Sequence, residues 1–389
     1  MMTEQRKIRV LMTSPSSDMG GAEKTFWFLS SRLKVDGRFE IFGAFPGGRL
    51  YSKLKLNFKG IQSLFCVEFI PRSQGLFFII RGPLYLLTLM INALLCIKVI
   101  LINKVDIVYV NSSIQLSAVL AAVFTRRRLV VFILEDYFYD NLKLRKWLFR
   151  LLSKYADILM CQTNTIKNSL LEIKQQQVEV VYSGVYDIEE EQAIHSNLDS
   201  NSFRAGIIGK IYPLKGQETF VKAIGYLIQE GLPVKGNIYG NCRRFSPNYF
   251  YLRKLKNYIE KMKLSENIIF IENKSLRSIY EGLDVVVIAS QSESSPLVFS
   301  EALKFGNPVI STRTGVMADV GKDGENLLFH DFGDYIGLAA QIKRLYIDEG
   351  MRKRLVENGK KLYQQKFNEA IIAEKFVKIL SEAAHAPRD

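Results

Sequence analysis

The sequence predicts an α/β protein of two doubly wound, parallel-sheet domains joined by a polar linker. Three observations carry that prediction. Short apolar runs rich in Val, Ile and Leu alternate with helix-period segments along the chain, the order that builds a parallel sheet. Residues 188–202 are rich in Glu, Ser and Asn and read as a linker, leaving 1–187 and 203–370 as the domains. In both halves a loop bearing glycine and charge stands between a strand and a helix, where doubly wound sheets hold ligands.

In the first domain, residues 8–12 (IRVLM) read as the opening strand. Ser14, Pro15 and the run from Asp18 to Glu23 form a loop, and 24–33 reads as a helix. Gly20 and Gly21 ahead of that helix would let the backbone approach a phosphate, although such a pair is also an ordinary tight turn. Residues 41–45 form a second strand, closed by Pro46, Gly47 and Gly48. Between Arg81 and Lys98 lie sixteen uncharged residues. They fit a buried core helix, a helix lying on a membrane surface, or a span, for which the run is short and interrupted by Pro83 and Asn92. A strand over 105–111 follows at once and argues against a span. Arg126, Arg127 and Arg128 read as a solvated helix end or a lipid-headgroup site. Strands over 129–134, 155–162 and 178–182 complete the domain.

The second domain opens with a strand at 203–208. Gly209 and Lys210, then Lys215 and Gly216, precede a helix reaching 227. Residues 234–239, 268–271 and 284–289 are further strands. The last of these is a buried apolar run, followed by a polar loop holding Glu293 and ending at Pro296. Leu297, Val298, Ala302, Leu303 and Phe305 then recur at helical spacing, and Gly306 stops the helix with Pro308 close behind. Unpaired N–H groups and the dipole at that helix N-terminus favour a phosphate. Glu293 on the loop and Glu301 just over a turn into the helix can face one crevice. Carboxylates beside a phosphate site usually bind hydroxyls, so the pair suggests a nucleotide sugar. The bland alternative is two solvated glutamates. Residues 335–346 and 351–362 read as closing helices.

Bulk properties narrow the function classes. The chain has 389 residues, with 48% hydrophobic and 24% charged, ordinary for a soluble protein with ample core. Four scattered cysteines and three histidines lack metal spacing, which predicts a reducing compartment and no structural metal. The opening residues lack the apolar core of a secretion signal, which predicts a cytoplasmic protein. Residues 1–185 hold 25 Lys and Arg against 13 Asp and Glu, a balance of +12, whereas 186–389 hold 28 against 26, a balance of +2. The first domain therefore expects a large anionic partner, a membrane face or a nucleic acid. No recognised nucleic-acid module is present, so a basic RNA-binding protein is the disfavoured alternative and no nucleic acid is expected.

Glu293 and Glu301 set in strand, SPLVFSEAL, Gly306 and PVI resemble the Glu-x7-Glu signature of the retaining glycosyltransferases of family four, the group 1 type with the GT-B fold. The run GGAEK resembles that family's N-terminal glycine loop. Gly209-Lys210 with Lys215-Gly216 resembles its Gly-Arg…Lys-Gly clamp on the donor diphosphate, with Lys210 where Arg is usual; lysine cannot grip a phosphate bidentately. The likeness is loose in the first domain and tight over 205–328. It implies two Rossmann-like domains facing a central cleft, with a closing helix at 371–384 returning to the first.

The resemblance also implies roles. Glu301 would hold the ribose hydroxyls and Glu293 a hydroxyl of the donor sugar. The loop with Asn273 would read the base. Gly20, Gly21, Gly209, Lys210, Lys215 and the Ser295, Pro296, Leu297 and Val298 segment would hold the diphosphate in place of a metal. The donor would be a UDP- or GDP-sugar, with no cofactor. The acceptor would be a glycan, lipid-linked at the cytoplasmic face of a membrane, in surface polysaccharide or glycoconjugate assembly. The sequence departs from the family after residue 134, where many members carry a His against the donor sugar. Glu135 and Asp136 stand there, to orient or deprotonate the acceptor or simply as an acidic loop, with Tyr137 and Tyr139 as stacking candidates. A GT-B epimerase or hydrolase of nucleotide sugars is the alternative enzyme.

Overall fold

The first of two wholly parallel sheets holds β1 (Ile8–Thr13), β2 (Phe39–Phe45), β3 (Gly60–Ser63), β4 (Ile107–Asn111), β5 (Arg128–Ile133), β6 (Ile158–Cys161) and β7 (Val178–Val180). Their order is β3-β2-β1-β4-β5-β6-β7. The second holds β8 (Phe203–Ile208), β9 (Val234–Tyr239), β10 (Ile268–Ile271), β11 (Val285–Ile288), β12 (Val309–Ser311) and β13 (Leu328–Phe329), in the order β10-β9-β8-β11-β12-β13. This computed structural model describes residues 6–17, 20–48, 51–65, 76–134, 142–172, 177–185, 202–242, 248–272 and 275–386.

Each sheet is covered on both faces, so its central strands are apolar almost throughout; β4 and β11 are buried at every position. On one face of the first sheet, Cys96, Ile100, Ala118, Leu148, Leu152 and Ile166 share a core with alternate residues of β4, β5 and β6. On the other, the ring of Phe26 meets Phe45 and Phe58, and Tyr109 meets Phe376. Phe376 belongs to the final helix, Glu369–His385. Residues 1–182 and 369–389 form one unit and 183–368 the other.

In each unit the strand order reverses beside the first strand. The chain winds outward from β1 to β2 and β3, then returns to place β4 on the other side of β1; β8, β9, β10 and β11 repeat the pattern. The two reversal points, β1/β4 and β8/β11, are where such sheets open a crevice at the carboxyl ends of their strands.

Several elements differ from expectation. Strands β3, β12 and β13 are short runs near sheet edges, with too few residues to show a period. Residue 155 ends the helix Leu142–Tyr155, and β6 begins only at Ile158. The apolar stretch forms one helix, Leu76–Ile102, uninterrupted by Pro83 or Asn92. Asn92 is instead bound sideways, its amide accepting from Phe65 N and donating to Phe65 O, both at 3.0 Å. The second unit begins at Ser183, and of the expected linker only Ser202 lies within the described residues.

Candidate active site

The β8/β11 reversal point gathers the second unit's candidate residues. Val285, Val286 and Val287 pair with Ala205, Gly206 and Ile207, so both strands end level and their loops leave side by side. Gly216 makes the close approach possible. It holds φ +73°, and a Cβ there would lie 2.0 Å from the carbonyl oxygen of Ala289. Gln291 N donates to Leu214 O at 2.8 Å and ties the loops together. A single 3₁₀ turn, Pro213–Lys215, brings Lys215 to the crevice.

Lys215 Nζ donates to Glu293 Oε1, and Ser290 Oγ donates to the same oxygen at 2.7 Å. Ser290 is itself fixed, its carbonyl accepting from Thr312 Oγ1 at 2.6 Å. Behind the loop, Gly315 at φ +49° packs so tightly that a Cβ would meet Glu293 O at 2.3 Å. Val316 N donates to Ser294 O at 2.7 Å. Glu293 is thus a buried carboxylate on a fixed loop, compensated by one ammonium and one hydroxyl.

Pro296 caps the helix Leu297–Phe305. It has no N–H, so of the four residues expected to donate to a diphosphate it cannot serve; its fixed φ sets the helix entry instead. The N–H groups of Leu297 and Val298 have no partner inside the helix by its geometry, and both residues are half-buried. Ser295 Oγ accepts from Ser183 N at 3.2 Å. Glu301 is buried, and its Oε2 accepts from Tyr280 Oη at 2.6 Å. Tyr280 stacks on Phe305, ring centroids 5.1 Å apart. Asn307 Nδ2 donates to the carbonyls of Tyr280 and Leu283. Burial, and then the Glu301 charge, push the Tyr280 phenol well above its ordinary pKa, so it remains a donor to Glu301.

Beside this cluster a cavity of about 240 Å³ is lined by Gly209, Lys210, Tyr239, Gly240, Asn241 and Glu272. Lys210 is exposed. In the first unit, Gly20 caps the helix Gly21–Val35 and Gly21 is its first residue, so the helix begins three residues earlier than the pattern predicts. At β1/β4 a groove is lined by Ser14, Leu64, Phe65, Tyr85, Leu89 and Gln115. Gln115 is buried and its Oε1 has no hydrogen-bond partner. Glu135, Asp136, Tyr137, Tyr139 and Asn273 lie outside the described residues.

The second unit therefore brings Gly209, Lys210, Lys215, Glu293, Ser295, Leu297, Val298 and Glu301 to one edge of one sheet. Sequence reasoning missed Ser290 and Tyr280, which hold the two carboxylates. Ser290 stands three residues before Glu293, but Tyr280 lies on another helix and leaves no local pattern. Cations and a helix N-terminus suit a diphosphate, and two fixed carboxylates suit hydroxyl groups on either side of it.

Residues 188–362 match the family described as glycosyl transferases group 1. An uncharacterized glycosyltransferase of Methanocaldococcus jannaschii is 27% identical over 57% of this chain and 59% of its own length. The capsular polysaccharide biosynthesis glycosyltransferase CapM of Staphylococcus aureus is 27% identical over 47% of each chain. The chain spans about half the length of these curated relatives. The structure of Anabaena HepE in complex with UDP-glucose superposes with a TM-score of 0.76, over 96% of this chain and 100% of that one, at 18% identity. That likeness is one of fold, the GT-B fold.

Proposed function

On the premise that residues 188–362 form a glycosyl transferases group 1 domain, we propose that this chain is a retaining glycosyltransferase of family four, moving a sugar from a nucleotide-sugar donor to a glycan. The observation that carries the reading is the convergence of Lys215, a helix N-terminus and the fixed carboxylates Glu293 and Glu301 at one switch point. The cavity beside Gly240 and Glu272 is the place for the base, Glu301 for the ribose, and Glu293 for a hydroxyl of the transferred sugar. A UDP- or GDP-sugar fits, and binding of UDP-glucose by HepE supports the class.

In the transfer, the bond between the anomeric carbon and the diphosphate oxygen breaks and its electron pair leaves with the nucleoside diphosphate. The acceptor oxygen bonds to the same face, and its proton passes to the departing phosphate oxygen. Charge growing on that oxygen needs donors already in place. Lys215, Lys210 and the N–H groups of Leu297 and Val298 supply them, and the reaction needs no metal and no cofactor. Likeness to the capsular enzyme supports a glycan acceptor in surface polysaccharide or glycoconjugate assembly, carried on a lipid at the cytoplasmic face of a membrane.

The test is release of nucleoside diphosphate from UDP- and GDP-sugars with a membrane lipid extract as acceptor, in chelator. Turnover with the donor's anomeric configuration kept in the product, read by NMR, supports the reading. Inversion overturns retention, and equal turnover without any acceptor favours an epimerase or hydrolase.

A further inference from the structure

The helix Leu76–Ile102 has two faces, and both are apolar. Leu89, Ala93, Cys96 and Ile100 form one buried stripe against the first sheet. The opposite stripe, about 160° wide at 100° per residue, carries Leu84, Leu86, Leu87, Met90, Leu94 and Leu101. Each is between 53% and 63% exposed. It runs about 26 Å along the helix axis, and Lys98 alone interrupts it. Soluble surfaces rarely leave so long an apolar stripe open to water.

A second helix, Leu142–Tyr155, covers the same sheet face, its Leu148, Phe149 and Leu152 joining the core that holds Cys96 and Ile100. It contains no acidic residue. Its outward side exposes Lys146, Trp147, Arg150 and Lys154. One face of the first sheet therefore carries an apolar stripe on one helix and cations with an indole on another, the combination that favours an anionic membrane interface. A span is excluded, because Cys96 and Ile100 are in the core and Asn92 is bound to the Phe65 backbone.

We propose that the outer stripe of Leu76–Ile102 is a membrane-docking surface that lies in the interface of an anionic bilayer, with Leu142–Tyr155 supplying the electrostatic hold. An apolar stripe and a cationic helix on one sheet face call for apolar depth below a negative surface, which a bilayer offers along the whole helix. The inference deepens the membrane-borne acceptor read above. Tyr85 and Leu89 of the same helix line the groove at β1/β4, beside the unpartnered Gln115 amide oxygen, so an acceptor carried in the bilayer would arrive there.

The experiment is co-sedimentation with vesicles of phosphatidylcholine, and of an equal mixture with phosphatidylglycerol, at low and high salt. The wild type should bind the mixed vesicles, less so at high salt. Leu84→Glu, Leu87→Glu and Leu94→Glu together should lower partitioning by about tenfold or more while keeping the wild-type melting temperature, since all three side chains face water. Lys146→Glu with Arg150→Glu should remove the preference for anionic vesicles. A triple variant that sediments like the wild type overturns the assignment of the helix and leaves a membrane acceptor standing. A wild type that ignores both vesicles, or that forms a dimer which the triple variant abolishes without vesicle binding, overturns the docking surface. Docking as expected, with donor turnover that no lipid extract raises, upholds the surface and removes the lipid-linked acceptor.

Discussion

Lys215 and Glu293 form an ion pair largely withdrawn from water, their side chains 21% and 9% exposed. Removing one partner of such a pair costs more than removing both, because a buried charge is left alone. Lys215→Met should destabilise the fold by about 3 kcal/mol, and adding Glu293→Gln should recover part of that loss, both read by urea unfolding. Strict additivity of the two changes would refute the pairing. Donor turnover of Lys215→Met should fall at least about a hundredfold, the scale for one lost donor to a developing charge. Tyr280→Phe tests the other carboxylate. It removes a hydrogen bond to buried Glu301 and should weaken nucleoside diphosphate binding by about tenfold, measured by calorimetry, with little loss for the 2′-deoxy nucleotide. His330 is buried beside the carbonyl of Asp331, and burial lowers its pKa below the ordinary 6.5. A depressed folded value means the unfolded chain takes the proton more readily. This contribution to stability is whole above pH 6.5 and is lost as pH falls through the folded value. Melting temperature should drop from pH 7 toward 5, and His330→Gln should drop less.

The loops after β8 and β11 work as one element because Gly216 has no side chain. Gly216→Ala adds a Cβ against the Ala289 carbonyl as well as strain at positive φ, and should cost roughly 2 kcal/mol or more. Gly231 makes a matched control. Its φ is +81° and nothing lies within 4 Å of a Cβ there, so Gly231→Ala should cost only about 1 kcal/mol. Equal costs in denaturant unfolding would show that the loop contact contributes nothing. Elements of this kind were readable from sequence where they had length or punctuation. The strand, loop, helix and cap from Val285 to Gly306 show a buried run, a proline and a stopping glycine within 22 residues. Strands β3, β12 and β13 offered two to four residues each, below any period. The carboxylates were visible because their spacing lies along one segment, whereas Tyr280 reaches Glu301 from a different helix through a contact that only the fold creates. The apolar stretch before β4 was readable as a helix but not as a half-buried one, because both of its faces are apolar and hydropathy alone does not separate them.

Across the whole molecule, two sheets repeat one winding, and the charge does not. The first 185 residues carry nearly all of the excess of cations, and the exposed apolar stripe lies in the same unit. The second unit holds the lysines, the carboxylates and the helix N-terminus that suit a nucleotide sugar. That division is the central claim: chemistry of the donor in the second unit, and the hold on an anionic surface in the first. The most direct measurement is a thermal-shift screen of the full chain with UDP, GDP, ADP and TDP, repeated on Glu301→Gln. A ligand at a hundred times its dissociation constant stabilises by about 2.7 kcal/mol, which is a shift of a few degrees. The account predicts a shift with one of these nucleotides that the variant loses. No shift with any of them, or a shift of equal size in the variant, would contradict it.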